Sequence, residues 1–167
     1  MIRVLPMIAL RGKIIYPKTT VHFDVSREKS AAAVQEAMQN NQMIFLSNQM
    51  DPNEENPDAS ELFQIGLVAK IKQIVKLPQN LIRVFVEGIE RGKITEVCES
   101  NPSFRVEVES VETIQEFASY EEEAYIGYMK NGLEAYYAEN VKLNREFVGK
   151  VLHMNRLEEM IDEIATH

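Results

Sequence analysis

The chain has 167 residues, 45% of them hydrophobic and 26% charged, and a formal net charge of −8. Such a length suits one ordinary domain or two small ones, with a packed core under a charged surface. The acidic balance opposes nucleic-acid binding, no apolar run approaches the roughly 18 residues of a membrane span, and the single cysteine, Cys98, builds neither a disulfide framework nor a cysteine cluster.

The opening Met1-Ile2-Arg3-Val4-Leu5-Pro6 lacks the basic and long apolar regions of a signal peptide, so a reducing, cytoplasmic setting is expected. Val4 to Leu10 is a short apolar run closed by Arg11-Gly12. Thr20 to Val25 alternates, with Val21, Phe23 and Val25 on one face, and Tyr16-Pro17 before it reads as a turn. Ser26 is an expected helix N-cap for a stripe of Ala31, Val34, Ala37 and Met38 that Asn40-Asn41 ends. Met43 to Leu46 reads as a buried strand. Asp51 to Ser60, with two prolines and four acids, reads as a solvated loop.

Leu67 to Leu77 places Leu67, Ala69, Ile71, Val75 and Leu77 on one face. Leu81 to Glu87 pairs with it across Pro78-Gln79-Asn80 as a hairpin. Ile94 to Val97 and Phe104 to Val108 add strands, with a glycine-bearing turn at Gly88–Gly92 before the first. Beyond Glu112 the period becomes helical. Phe117, Tyr120, Ala124 and Tyr128 form one stripe; Tyr125, Met129, Leu133 and Tyr136 form another. At that spacing the tyrosines are expected in a core, with one of the adjacent Tyr136 and Tyr137 outside. Asn144 and Asn155 are the expected caps of two shorter helices.

Strands first and helices later predict an α+β fold. The charge divides in the same way. Residues 1–110 carry 13 Lys/Arg against 14 Asp/Glu, a net of −1; residues 111–167 carry 5 against 12, a net of −7. The expected units are a β-rich subdomain over 1–112 and a helical subdomain over 113–167, cut inside its last helix.

Catalytic chemistry finds no foothold in the pattern. Gly88-Ile89-Glu90-Arg91-Gly92-Lys93-Ile94 has three residues between its glycines, where a phosphate loop has four, and lacks the hydroxyl that follows the lysine. His22, His153 and His167 have no metal-ligand spacing. His22, Asp24 and Ser26 sit close in sequence without a nucleophile elbow. Acids beside Cys98 disfavour a thiolate, and Glu121-Glu122-Glu123 fan around a helix and do not converge on a cation. No catalytic, cofactor-binding or metal residue is therefore expected.

Several segments together resemble the N-terminal domain of the bacterial ATP-dependent Lon proteases. They are Leu5-Pro6-Met7-Ile8-Ala9-Leu10-Arg11-Gly12 with Tyr16-Pro17, Val25-Ser26-Arg27-Glu28-Lys29-Ser30, Phe63-Gln64-Ile65-Gly66-Leu67-Val68-Ala69, Val75-Lys76-Leu77-Pro78, and Val84-Phe85-Val86-Glu87-Gly88-Ile89-Glu90-Arg91. Met7, Ile8 and Ser26 depart from the usual pattern. The resemblance implies a PUA-like β-barrel subdomain with one helix, followed by a three-helix subdomain. It implies a non-catalytic module that recognises unfolded or damaged protein substrates and supports self-association, as a hexamer in the parent. ATP, magnesium and the Ser-Lys dyad would belong to the parent's downstream parts, with no nucleic acid and no membrane involved. A free-standing adaptor with the same fold is the alternative. Apolar residues at loop positions point to Tyr16, Pro17, Leu77, Pro78 and Leu81 as candidate substrate-binding residues.

Overall fold

The computed structural model describes residues 1–167 apart from 113, 115 and 141. They form two compact units, Met1–Glu112 and Thr113–His167. The first holds strands β1 (Ile2–Leu10) and β2 (Thr20–Val25), helix α1 (Glu28–Gln39), then β3 (Met43–Asn48), β4 (Ile65–Lys76), β5 (Ile82–Glu99) and β6 (Phe104–Ser110). The sheet order is β2-β5-β4-β3-β1-β6, and β6 also pairs with β5. Five strands thus close on themselves, which removes their edges, while β2 is attached outside to β5 alone.

Closure explains why β1 and β3 read as continuous apolar runs. Leu5, Met7 and Ala9 of β1 pack in one cluster with Phe45, Val68, Phe104, Val106 and Val108. Ile8 and Leu10 pack in another, with Ile44, Leu46, Leu67, Ala69, Ile71, Val84, Val86 and the α1 residues Ala33, Val34 and Ala37. Successive side chains point to opposite faces, so strands covered on both faces lose the polar half of their alternation.

Three local expectations are corrected. The Gly88–Gly92 segment is no turn: β5 runs through it as one strand of 18 residues. Its glycines answer close approach instead. A Cβ on Gly88 would lie 2.4 Å from the Tyr16 carbonyl oxygen, and one on Gly92 would lie 2.5 Å from Val108. The N-cap of α1 is Arg27, not Ser26, and no side chain caps it. Helix α4 (Leu157–Thr166) starts after Arg156, not Asn155, and its first amide is met by the Glu122 carboxylate at 3.1 Å.

The second unit contains α2 (Ser119–Glu139), α3 (Arg145–Leu152) and α4. Asn144 caps α3 as expected, its side chain accepting from the Glu146 amide at 2.9 Å. Lys150 of α3 pairs with Glu163 of α4 at 2.6 Å. The core is Ile126, Phe147, Val148, Val151, Leu157 and Met160, with Met129, Leu133 and Tyr137 packed against it. The tyrosine stripe is therefore not the buried one. Tyr120 and Tyr128 are 72% and 79% exposed, and Tyr125 and Tyr136 also face outward. Apolar residues surround α2 on more than one face, so period alone could not select the face that packs.

Candidate functional site

The chemistry-bearing residues are accounted for structurally. His22 leans on Phe85, ring centres 5.4 Å apart, while Asp24 faces Arg83 across the β2–β5 pair. Arg83 donates to both Asp24 oxygens, at 2.7 and 2.9 Å. That bond pulls the Asp24 carboxyl below its ordinary pKa and raises that of Arg83. The hydrogen bonds of the Asp24 carboxylate found among the described residues go to Arg83 and not to His22. Lys72 acts in the same way on Glu87 at 2.8 Å and lowers its pKa. Gly88 to Ile94 lies inside β5, so it forms no helix-opening cradle for the phosphates of ATP. Cys98 is exposed near the end of that strand. Among the described residues no group of three or more His, Cys, Asp or Glu could hold a metal ion, and no helix is long and apolar enough to cross a membrane.

Apolar surface is the feature that remains. The loop between β1 and β2 presents Ile14, 65% exposed, while its neighbour Ile15 turns inward. Ile65, at the start of β4, is 49% exposed. Both line a shallow, mixed groove of about 130 Å³ with Tyr16, Leu46 and Leu67 and with the polar Asn48 and Arg91. Gly66 forms part of its floor. A Cβ there would lie 2.3 Å from the Leu46 carbonyl oxygen and 2.7 Å from the Phe45 ring. Phe63, half exposed, adjoins the groove through its amide, which donates to Asn48 at 2.9 Å. One wall comes from the sheet, through Leu10, Leu46 and Ile65 to Leu67, and the other from the β1–β2 loop, through Ile14 to Tyr16.

The five candidate residues are not brought together. Tyr16 and Pro17 are half-buried at the end of β2 where Lys18 donates to Gly88 at 2.8 Å. Leu77, Pro78 and Leu81 occupy the β4–β5 hairpin tip, closed by Leu77 donating to Leu81 at 2.8 Å. Register puts Thr20 beside Glu87 and Val25 beside Ile82, so the length of β2, about 17 Å at 3.4 Å per residue, separates the groups. Tyr16 lies in the groove; Leu77 and Leu81 are half-buried and, of the five, only Pro78 is exposed. The exposed Ile14, Phe63 and Ile65 were not singled out from the sequence. The available signal was the pair Ile14-Ile15 in a loop, where adjacent side chains cannot both enter one core.

The chain is similar to known proteins along nearly its whole length. The family model described as the ATP-dependent protease La (LON) substrate-binding domain matches residues 4–167. A Lon protease of Lachnoclostridium phytofermentans is 36% identical over 166 residues, 99% of this chain and 20% of that protein. A Lon protease of Clostridium acetobutylicum is 43% identical over 119 residues, covering 71% of this chain and 15% of its own length. The chain thus spans about a fifth of the length of the relatives it matches. Among solved structures, the N-terminal domain of the Mycobacterium avium complex Lon protease superposes with a TM-score of 0.73 at 19% identity, over 96% of this chain and 80% of that one. The Lon N-terminal domain protein from Xanthomonas campestris does so at 0.59 and 12%, over 98% and 97%. Both share the α+β fold of a strand-rich unit with one helix followed by three helices. On the strength of the family match and of relatives above 30% identity, the chain belongs to the Lon substrate-binding domain family.

Proposed function

We propose that this domain captures unfolded or damaged polypeptide segments for a Lon-type protease and carries out no chemistry itself. The observation that supports this most is the pair of exposed isoleucines, Ile14 and Ile65, that share a shallow groove with Tyr16. Unfolded chains expose apolar side chains that folded proteins bury, and a shallow groove with exposed apolar residues accepts many of them. Tyr16 and Pro17 belong to this surface. Leu77, Pro78 and Leu81 form a second contact point at the hairpin tip. Cleavage by a Ser-Lys dyad, ATP and magnesium belong to other parts of a longer protein, in a cytoplasmic hexamer to whose assembly this domain contributes. The family to which the chain belongs and the greater length of its relatives support that reading.

The test is binding of a reduced, alkylated client protein that cannot refold. Replacing Ile14 and Ile65 together by serine is expected to weaken that binding about tenfold or more, since each removes a side chain worth about 1.5–3 kcal/mol when buried. Replacing Leu77 and Leu81 by serine is expected to weaken it less. Undiminished affinity in both folded double variants would remove this surface from the function.

A further inference from the structure

β2 is paired with β5 on one side only. The Thr19 carbonyl accepts from Gly88 at 2.9 Å, so Thr19, Val21, Phe23 and Val25 direct their backbone groups at β5. By alternation, Thr20, His22 and Asp24 direct theirs outward. The carbonyl of His22 confirms the direction, because it accepts from the Lys13 ammonium at 2.6 Å. Beyond this edge lies a cleft of about 360 Å³, walled by Ala9 and Leu10 of β1 and by Phe23 of β2.

Three cations stand on the cleft: Arg11, Lys13 and Arg27. Each is spent on neutral acceptors. Arg11 donates to the Glu54 carbonyl at 3.2 Å. Arg27 donates to the carbonyls of Ala9 and Glu55 and to the Gln49 side chain at 3.0 Å. None of the ion pairs found among the described residues includes these three. The one carboxylate on the cleft, Asp24, is held by Arg83, with Lys13 and His22 adding to its stabilisation. Burial, reinforced by the neighbouring charge of Arg11, depresses the pKa of Arg27. A concentration of positive charge of this kind in a chain of net charge −8 favours an incoming anion.

We propose that the outward edge of β2 takes up an extended segment of unfolded polypeptide as an added strand, and that Arg11, Lys13 and Arg27 favour segments bearing Asp or Glu. This rests on the substrate-capture reading above and names the class of substrate. Main-chain hydrogen bonds do not depend on side-chain identity, so an open edge suits a receptor for many sequences, while the cations bias the choice among them. The arriving strand displaces the Lys13 ammonium from the His22 carbonyl and leaves it free to meet a carboxylate.

The test uses the 167-residue chain and a short fluorescent peptide in which glutamate alternates with valine. Two versions carry N-methyl groups on alternate residues, one set for each edge of the peptide strand. One version is expected to lose about tenfold in affinity and the other to keep it, because only one edge pairs with β2. A lysine-for-glutamate peptide is expected to bind about tenfold more weakly. His22→Pro removes an outward amide and leaves the β5 side paired, as edge prolines do, and should reproduce the loss. If that variant fails to fold, the methylated pair decides alone. Equal affinity of the two methylated peptides, with capture of the alkylated client intact, overturns the added-strand proposal and leaves the capture reading standing. No capture of the client by the unaltered chain overturns both.

Discussion

Asp24 and Arg83 face each other across the β2–β5 ladder and meet through two hydrogen bonds, at 2.7 and 2.9 Å. Because β2 has no second partner strand, this fork adds a side-chain clamp to the backbone pairing that holds it.

The clamp sets a pH dependence. Folding lowers the Asp24 pKa below its ordinary value of 3.8, so the folded state favours the ionised form. Its contribution is complete above that value and is lost as pH falls through the lower, folded-state value. Asp24→Asn is therefore expected to unfold at a lower temperature than the parent at pH 7. The gap should close in acid below pH 3.8. A gap that persists unchanged into strong acid would assign the effect to something other than this ionisation. Asp24 is exposed and Arg83 half-buried, so solvent screening keeps the effect small.

The hairpin tip carries stored cost. Gln79 and Asn80 both adopt left-handed backbone angles, φ 62° and 58°. Glycine takes that conformation without penalty, whereas other L-residues lose about 1 kcal/mol there. Asn80→Gly is expected to stabilise the first unit by about 0.5 kcal/mol, with asparagine's own tolerance limiting the gain. A urea midpoint that falls would contradict this reading of the turn.

Gly66 has no room for a side chain, since a Cβ would press on Leu46 and Phe45, both buried. Gly66→Ala is expected to cost about 1–3 kcal/mol through overpacking, read from urea unfolding. It should also narrow the groove and weaken client binding in the fraction that folds. Parent-like stability would mean that β4 can shift away from β3 without cost.

Asn144 caps α3 through the Glu146 amide. Asn144→Ala is expected to cost about 1 kcal/mol. The loss should show as faster hydrogen exchange in α3 and the helices packed on it. Unchanged exchange in α3 would contradict the cap's contribution.

Much of this fold was legible because the strands alternate where only one face is buried. Val21, Phe23 and Val25 announced β2, and the run to Leu77 with its return from Leu81 announced the hairpin. The misreadings have physical causes. Gly88 and Gly92 look like turn residues in a sequence, yet they are glycine because Tyr16 and Val108 come too close for a Cβ. In α2 the spacing was right and Met129 and Leu133 of the second stripe do pack inward, with Ile126 and Tyr137, whereas Tyr120, Tyr125, Tyr128 and Tyr136 stay in solvent. The groove was illegible for a different reason. Ile14 and Ile65 are 51 positions apart in sequence and line one groove because β4 lies beside β3, which lies beside β1. No local pattern carries that adjacency.

Hydrogen exchange of the chain with and without the non-folding client reads capture at the groove. Slowed exchange is expected in the loop carrying Ile14 to Tyr16 and at the start of β4 near Ile65, with α3 and α4 unchanged. Protection confined to the helical unit, or no protection with client in excess, would contradict it.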